Sequence, residues 1–559
     1  MSLLGVGVGS LAALATLGFT SIIFKIDRLY LNGFQSSQEF SFVLWLPIFL
    51  GLAGAGLLVA LIRRWAAPGN LQGIAHSIAA SHGLEGHMPI SNGIKSVLAS
   101  LVSLCGGASV GQYGPVGHLG SLIGLMLAKL SRSDHSRRSV SIACGVAAAI
   151  AAVFHAPIAG VVFAHEVILR HYSLRAFAPV TVASSIGYLL ARFFTDQQPL
   201  FIVPGIAKAL LIDYIWFAAI GVSGGLIAVL MMRSIGVFEG LAKQFSIPDW
   251  VRPALAGAIL ALVAIMIPEV LGTGIGTLKS TLSGHFESHY LLVILIGKLF
   301  ATALCIGLGF VGGVFSPALL VGVVFGTLFA QGYIAFFPTE ITSVLMYAAC
   351  GMVAVVSPVI GAPLSAILLV FELTGNYTIT TAVMVSAVFS NLVSYRVFGR
   401  SYYDHQLSQA GCDMTFGRER LLLNDITVGC LVDSSARVVD GDMKVSKVIE
   451  IMRQNRWLHL LVTDTKRAYL GTFAVEQLVF MESVDGNTRV LELADKAILP
   501  INESALLGDV LESISGQSVS VYAVVNSYGM VVGSVTSEVL ARNGRSVSNR
   551  AAQEISDHD

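Results

Sequence analysis

CGVAAAIAAVFHAPIAGVVFAHEV, Cys144 to Val167, and CGMVAVVSPVIGAPLSAILLVFEL, Cys350 to Leu373, follow one plan. Both open on Cys-Gly. Both reach Ala-Pro twelve residues on (Ala156-Pro157 and Ala362-Pro363), and both place a glutamate ten residues after that alanine (Glu166 and Glu372). Further out, a Gly-rich turn precedes each copy: GQYGP ends at Pro115 and GVFSP ends at Pro317. Several spacings matching in order mark an internal duplication. The two repeats cover about residues 1–200 and 205–400.

The medium around these repeats follows from composition. The chain has 559 residues, 55% of them hydrophobic and 12% charged, with mean hydropathy +0.76. A soluble domain carries about a quarter charged residues, so most of this chain is solvated by lipid. A net charge of zero argues against nucleic acid as a partner. The six cysteines (105, 144, 305, 350, 412 and 430) show no paired spacing, so neither a disulfide framework nor a metal site is expected. The run from Ser2 to Phe24 lacks a basic leader and is long enough to cross, at about 20 residues. It reads as the first membrane helix.

Apolar segments recur to about Phe398, at 42–62, 94–110, 138–153, 176–194, 207–232, 251–267, 287–311, 342–356 and 378–398. Others are short and interrupted by Gly or Pro: 69–82, 115–130, 156–168, 315–332 and 362–373. Pieces too brief to cross are expected where half-helices line a cavity between repeats, near mid-membrane. Basic residues near helix ends (Arg63, Arg64, Arg132, Arg137, Arg138, Arg396, Arg400) favour the cytoplasmic side there. After Cys412 charges appear throughout and helix-like and strand-like stretches alternate, as in a soluble α/β tail.

Each Gly-rich turn feeds a short helix. A helix start presents unpaired N–H groups and about half a positive charge. Glycine lets the backbone come close to a ligand, and proline in the first turn forfeits no donor. Several such starts together suit an anion, held loosely enough to be released. Close helix packing by small residues is the competing use of any single glycine.

With these residues in place, the chain resembles the CLC family of chloride channels and proton-coupled chloride transporters over about residues 1–410. GGVFSP (Gly312–Pro317), VLGTGIG (Val270–Gly276), APLSAILLVFELTGNY (Ala362–Tyr377) and SYYD (Ser401–Asp404) carry the likeness. It implies an all-α polytopic membrane domain with inverted internal repeats and re-entrant half-helices, working as a homodimer in a bilayer, the inner or plasma membrane of a bacterial-type cell. It implies an anion held by the amides of Val314 and Phe315 and by the hydroxyl of Tyr403, with Tyr402 the second candidate. The pore turns are Gly111, Gln112, Gly114 and Gly313. The tail resembles a cytoplasmic α/β pair of CBS domains. Their expected boundaries are 426–490 and 493–545, after a linker at 411–425 and before a polar tail at 546–559. Nucleotide binding there stays open: Thr536 is followed three residues later by Val539, not by an acid, and no other cofactor is expected.

Three departures shape the functional expectation. GQYGP aligns with the family's GREGP turn, so the gating glutamate is Tyr113 here and its basic neighbour is Gln112. A phenol with an ordinary pKa near 10 stays neutral and cannot compete with chloride as an anion. The internal proton-accepting glutamate falls at Val167, which cannot titrate. The first-half selectivity loop reads PGNLQGIAHSI (Pro68–Ile78), placing either Asn70 or Gln72 where a serine is usual. With both carboxylates absent, a passive chloride channel is expected, nitrate and bromide being the other candidate anions. The alternatives are a proton-coupled antiporter using other acceptors, Glu166 or His165, and a membrane sensor with a vestigial pore. No phosphate-binding loop, dinucleotide fingerprint or nucleophile elbow appears, so no enzyme chemistry is expected.

Overall fold

The structure is a computed structural model that describes residues 2–35, 42–66, 71–82, 88–133, 135–195, 209, 211–336, 343–410, 412, 426–433, 437–455, 457–475, 487–514 and 521–543. The chain divides into two compact units, Met1–Gly411 and Cys412–Asp559.

The first unit is helical and built twice. The first half runs α1 (Ser2–Gln35), α2 (Phe42–Trp65), α3 (Ile74–Ser81), α4 (Ile90–Cys105), α5 (Tyr113–Leu130), α6 (His135–Phe154), α7 (Pro157–Phe163) and α8 (Leu174–Phe194). The second runs α9 (Asp213–Gln244), α10 (Arg252–Met266), α11 (Ile275–Leu282), α12 (Ser288–Gly307), α13 (Phe315–Phe336), α14 (Val344–Ile360), α15 (Pro363–Thr374) and α16 (Tyr377–Val397); α17 (Tyr402–Gln409) follows. Contacts repeat with the sequence: α5 packs on α6 as α13 does on α14, and α1 packs on α8 as α9 does on α16. Eight candidate spans among the described residues are long and apolar enough to cross a membrane.

The Cys-Gly that opens each copy acquires a reason here. Gly145 on α6 lies against Gly120 on α5, and Gly351 on α14 lies against Gly322 on α13. A Cβ on any of the four would collide with facing backbone, so these glycines let the helices touch. Four expectations differ. The segments 94–110, 251–267 and 342–356, read as full apolar segments, are helices of 16, 15 and 17 residues, below the length of the candidate spans. The segment 315–332, read as a short interrupted piece, is a 22-residue helix long enough to cross. Pro317 sits in its first turn, where no intrahelical donor is lost.

α15, with 12 residues, is about 18 Å long, well short of a ~30 Å hydrocarbon core. α7 is shorter still and continues as a π-helical segment, Ala164–Leu169. Each starts with Pro at its first position, leaving the next two amides to be satisfied inside the protein. Each half supplies the other's acceptor. Glu166 receives Leu364 N–H (3.0 Å), Ser365 N–H (2.8 Å) and the Ser365 hydroxyl (2.6 Å). Glu372 receives Ile158 N–H (2.9 Å) and Ala159 N–H (2.7 Å). The repeated Ala-Pro and glutamate are therefore two parts of one reciprocal clasp between the halves.

The second unit holds two copies of one small fold. β1 (Val438–Asp440), α18 (Val445–Asn455), β2 (His459–Thr463) and β3 (Tyr469–Ala474) make the first. β4 (Ile501–Asn502), α20 (Leu507–Ser513), β5 (Val521–Val525) and β6 (Val531–Thr536) make the second, with a short α19 (Val490–Leu493) between them. In each sheet the first pair is parallel and the second antiparallel. Helix, strand, strand was legible; the short leading strands β1 and β4 were not. The copies share a core of Leu461, Ala523, Val525 and Val531. Residues 426–433, expected in the first copy, join the second: Val428 N–H bonds to Ala505 O (2.9 Å) and Asp433 N–H to Ser534 O (2.9 Å). Residues 411, 413–425 and 546–559 of the expected linker and polar tail lie outside the described residues.

Removing either clasp carboxylate leaves two leading amides, one part-buried and one exposed at the surface of the membrane unit, without their acceptor. Glu166→Ala and Glu372→Ala should each cost about 1–3 kcal/mol. Thermal unfolding of the detergent-solubilised full-length protein checks this, and an unchanged midpoint in both variants would contradict the clasp.

Candidate functional site

With the starts of α7 and α15 closed by carboxylates, the Gly-rich turns ahead of α5 and α13 are the helix starts left to consider. They meet each other directly. Gly111 N–H donates to Gly313 O (2.6 Å), and Gly313 N–H returns the bond to Gly111 O (2.7 Å). Gln112 N–H adds a bond to the Ser316 hydroxyl (3.3 Å), and Gly114 packs on Gly313. A Cβ on Gly111 would sit 2.7 Å from Gly313 O, so this approach requires glycine. The bridge brings the positive ends of α5 and α13 to one place. There the first amides of each helix, including those of Val314 and Phe315, lack intrahelical partners.

Tyr113 and Phe315 are the first residues of the two helices. Tyr113 is 3% exposed, and its ring packs on Phe154 (centroids 4.0 Å, 33°) and on the edge of Phe315 (5.3 Å, 74°). Phe154 and Phe315 complete the trio at 5.4 Å. The tyrosine is thus part of a neutral aromatic cluster beside the paired turns. Phe154 carries no motif signal; it ends α6 one residue before the His155-Ala156 corner.

The remaining anion-site candidates fall in several places. Val314 and Phe315 are buried at the start of α13. Tyr402 and Tyr403 are buried on α17, their rings 6.5 Å apart. α17 packs on α3 and α14. Its start is fixed by a Ser401–Asp404 capping box, and Asp404 also pairs with Arg170 at 2.5 Å. Gln72 is buried just ahead of α3: its backbone N–H bonds to Ser96 Oγ (2.7 Å) and one hydrogen of Nε2 to Pro89 O (3.4 Å), while its Oε1 is buried without a hydrogen-bond partner. Asn70 lies outside the described residues.

The candidate proton acceptors divide. Glu166 is taken up by its three donors on α15. Val167 is buried and apolar. His165, in the π-helical segment, is 1% exposed. Its Nδ1–H donates to His171 O (3.1 Å), and its ring stacks on Tyr172 at 5.5 Å. Nε2 is therefore a bare lone pair, buried and without a hydrogen-bond partner. π-helical turns inside α-helices collect at functional sites. Sequence reading missed a second cluster, Ser77, His118 and Ser121 between α3 and α5, all buried. Its signal was a histidine and a serine three apart on a helix that follows a Gly-rich turn. Among the described residues no group of three or more His, Cys, Asp or Glu is placed to hold a metal ion.

A family model described as voltage gated chloride channel matches residues 54–395. A putative chloride channel protein, ClcB-like, of Ralstonia nicotianae is 26% identical over 413 residues, covering 72% of this chain and 95% of that protein. The H(+)/Cl(−) exchange transporter ClcA of Vibrio cholerae is 27% identical over 416 residues, covering 72% and 87%. The crystal structure of a eukaryotic CLC transporter superposes with a TM-score of 0.64 at 18% identity, covering 96% of this chain and 97% of that one, which shows the same fold.

Tyr113→Ala removes the tyrosine ring from the aromatic cluster. Anion flux into liposomes holding the variant should rise, by about tenfold if the ring contributes ~1.4 kcal/mol to the barrier. Flux equal to wild type would mean that the ring lies off the path.

Proposed function

The chain belongs to the voltage-gated chloride channel family, and from that premise we propose that it carries chloride through the membrane at the paired starts of α5 and α13. The observation that carries this is the mutual hydrogen bonding of Gly111 and Gly313, which sets two helix dipoles against one spot beside buried aromatic rings. Backbone amides of Val314 and Phe315 hold the ion, with the Tyr403 hydroxyl as a further donor. Gln72 contributes less, since its backbone N–H and one hydrogen of its side-chain amide already have partners.

Coupling to protons is the finer reading we favour. A relative named as an H(+)/Cl(−) exchanger supports it, as does His165, a buried base with a free lone pair two residues before the valine at the acceptor position. Glu166 does not suit the role, because its oxygens hold α15 in place. Passive conduction is the second reading, supported by the neutral aromatic cluster at Tyr113 and by Val167. The tail reads as a cytoplasmic CBS pair and the assembly as a homodimer. At the second copy Thr536 Oγ1 accepts Val539 N–H (3.2 Å), which favours a structural use of that threonine over a ribose contact.

Full-length protein in liposomes separates the readings. A proton gradient should drive chloride uphill, and His165→Gln should lower the proton-to-chloride flux ratio by about tenfold or more. Chloride that moves only down its own gradient, with no proton movement, would leave passive conduction; no anion flux at all would leave a sensor.

A further inference from the structure

A fully consumed set of hydroxyl hydrogens fixes the protonation of a second buried histidine. Ser121 Oγ lies 2.7 Å from the carbonyl of His118, so its one hydrogen goes there. The 2.6 Å contact between Ser77 Oγ and Ser121 Oγ must then use the hydrogen of Ser77. Ser77 has none left for His118 Nδ1 at 3.0 Å, so Nδ1 carries the hydrogen and donates it to Ser77. His118 is therefore the Nδ1–H tautomer. Its Nε2 is a bare lone pair, buried and without a hydrogen-bond partner, on a side chain 1% exposed. His165 has the same state for the same reason: its Nδ1–H is given to a carbonyl and its Nε2 is open.

α3 joins the two. Ser77 and Ser81 are four residues apart and share a face. Ser77 holds His118 on α5, and the Ser81 hydroxyl lies 2.8 Å from both Ile78 O in its own helix and Ile168 O in the π-helical segment that carries His165, sharing its hydrogen between them. His118 lies five residues past Tyr113, about 7.5 Å along the helix. The titratable group that acts on it is His76 on α3, whose Nδ1 accepts Gly73 N–H (3.2 Å). α5 also packs on α1, α4, α6 and the start of α13, and the residues closest to its glycines, Ile74, Val146, Gly145, Ser141 and Gly313, carry no charge. The imidazole is held by uncharged hydroxyls, with no carboxylate in the network to stabilise a lasting imidazolium. A proton there would be held briefly, as a relay requires.

We propose that His118 Nε2 is a proton-accepting site of the membrane domain, on the helix that begins at Tyr113. This rests on the exchange reading above. A hydronium ion gives its proton to Nε2: one O–H bond breaks, one N–H bond forms, a water molecule leaves and the ring gains one positive charge. The return step hands the proton to a water molecule.

Two measurements on the full-length protein test it. ¹⁵N NMR of histidine-labelled protein in nanodiscs, assigned by the signal lost in His118→Gln, should show a bare Nε2 and a protonated Nδ1. In liposomes His118→Gln should lower the proton-to-chloride flux ratio by about tenfold or more. Ser77→Ala, which frees Nδ1, should convert the signal to a mixture of tautomers. An Nε2–H tautomer in wild type, or a wild-type flux ratio in His118→Gln, overturns the assignment. Should His118→Gln not fold, His118→Asn serves for assignment and the wild-type spectrum decides. A wild-type protein that moves chloride but no protons instead overturns the exchange reading, and the spectrum still reports whether Nε2 is a base.

Discussion

A helix that starts inside a membrane exposes amides that lipid cannot satisfy, and the whole first unit is organised around that cost. Two of its starts, α7 and α15, are closed by carboxylates, each borrowed from the opposite half. The exchange fixes the halves against each other through hydrogen bonds of 2.6–3.0 Å. It also assigns the negative charge in that region to structure. Two further starts, α5 and α13, are bridged to each other by a pair of backbone hydrogen bonds and the neutral Ser316 hydroxyl, with no carboxylate. A carboxylate cap repels an anion and a backbone bridge does not, so the same four helix starts sort into those that hold the fold and those that can hold an ion.

The contents of the bridged site follow from its packing. The glycine approach leaves no room for side chains at positions 111 and 313, and the rings that pack beside it are those of the first residues of the two helices, Tyr113 and Phe315. Both are neutral aromatics, and Phe154 packs on both. Two buried histidines with open Nε2 atoms lie away from these rings, one along α5 and one in the π-helical segment, and α3 contacts both elements.

What the sequence discloses here is whatever is encoded by local spacing. The duplication, the Gly-rich turns, the Ala-Pro starts and the helix–strand–strand copies of the tail all repeat at short range. The partner of each glutamate does not: Glu166 meets Ser365 and Glu372 meets Ala159 across about half the membrane domain, so the carboxylates could be located but not matched. Phe154 enters the cluster only through the fold. His118 became informative only when two serines, one on another helix, fixed its hydrogens. The length of α13 was misjudged because Pro317 looked like an interruption, although proline in a first turn interrupts nothing.

The clasp also constrains how the molecule is made. Ala159 leaves the ribosome 213 residues ahead of Glu372. Throughout that interval the nascent α7 must have its leading amides solvated by water or lipid headgroups, because their lasting acceptor does not yet exist. α15 meets no such delay, since Glu166 is already in the bilayer when Leu364 emerges. Membrane insertion is therefore asymmetric in time even though the finished halves are alike, and the amino-terminal half must wait, incompletely closed, for its twin.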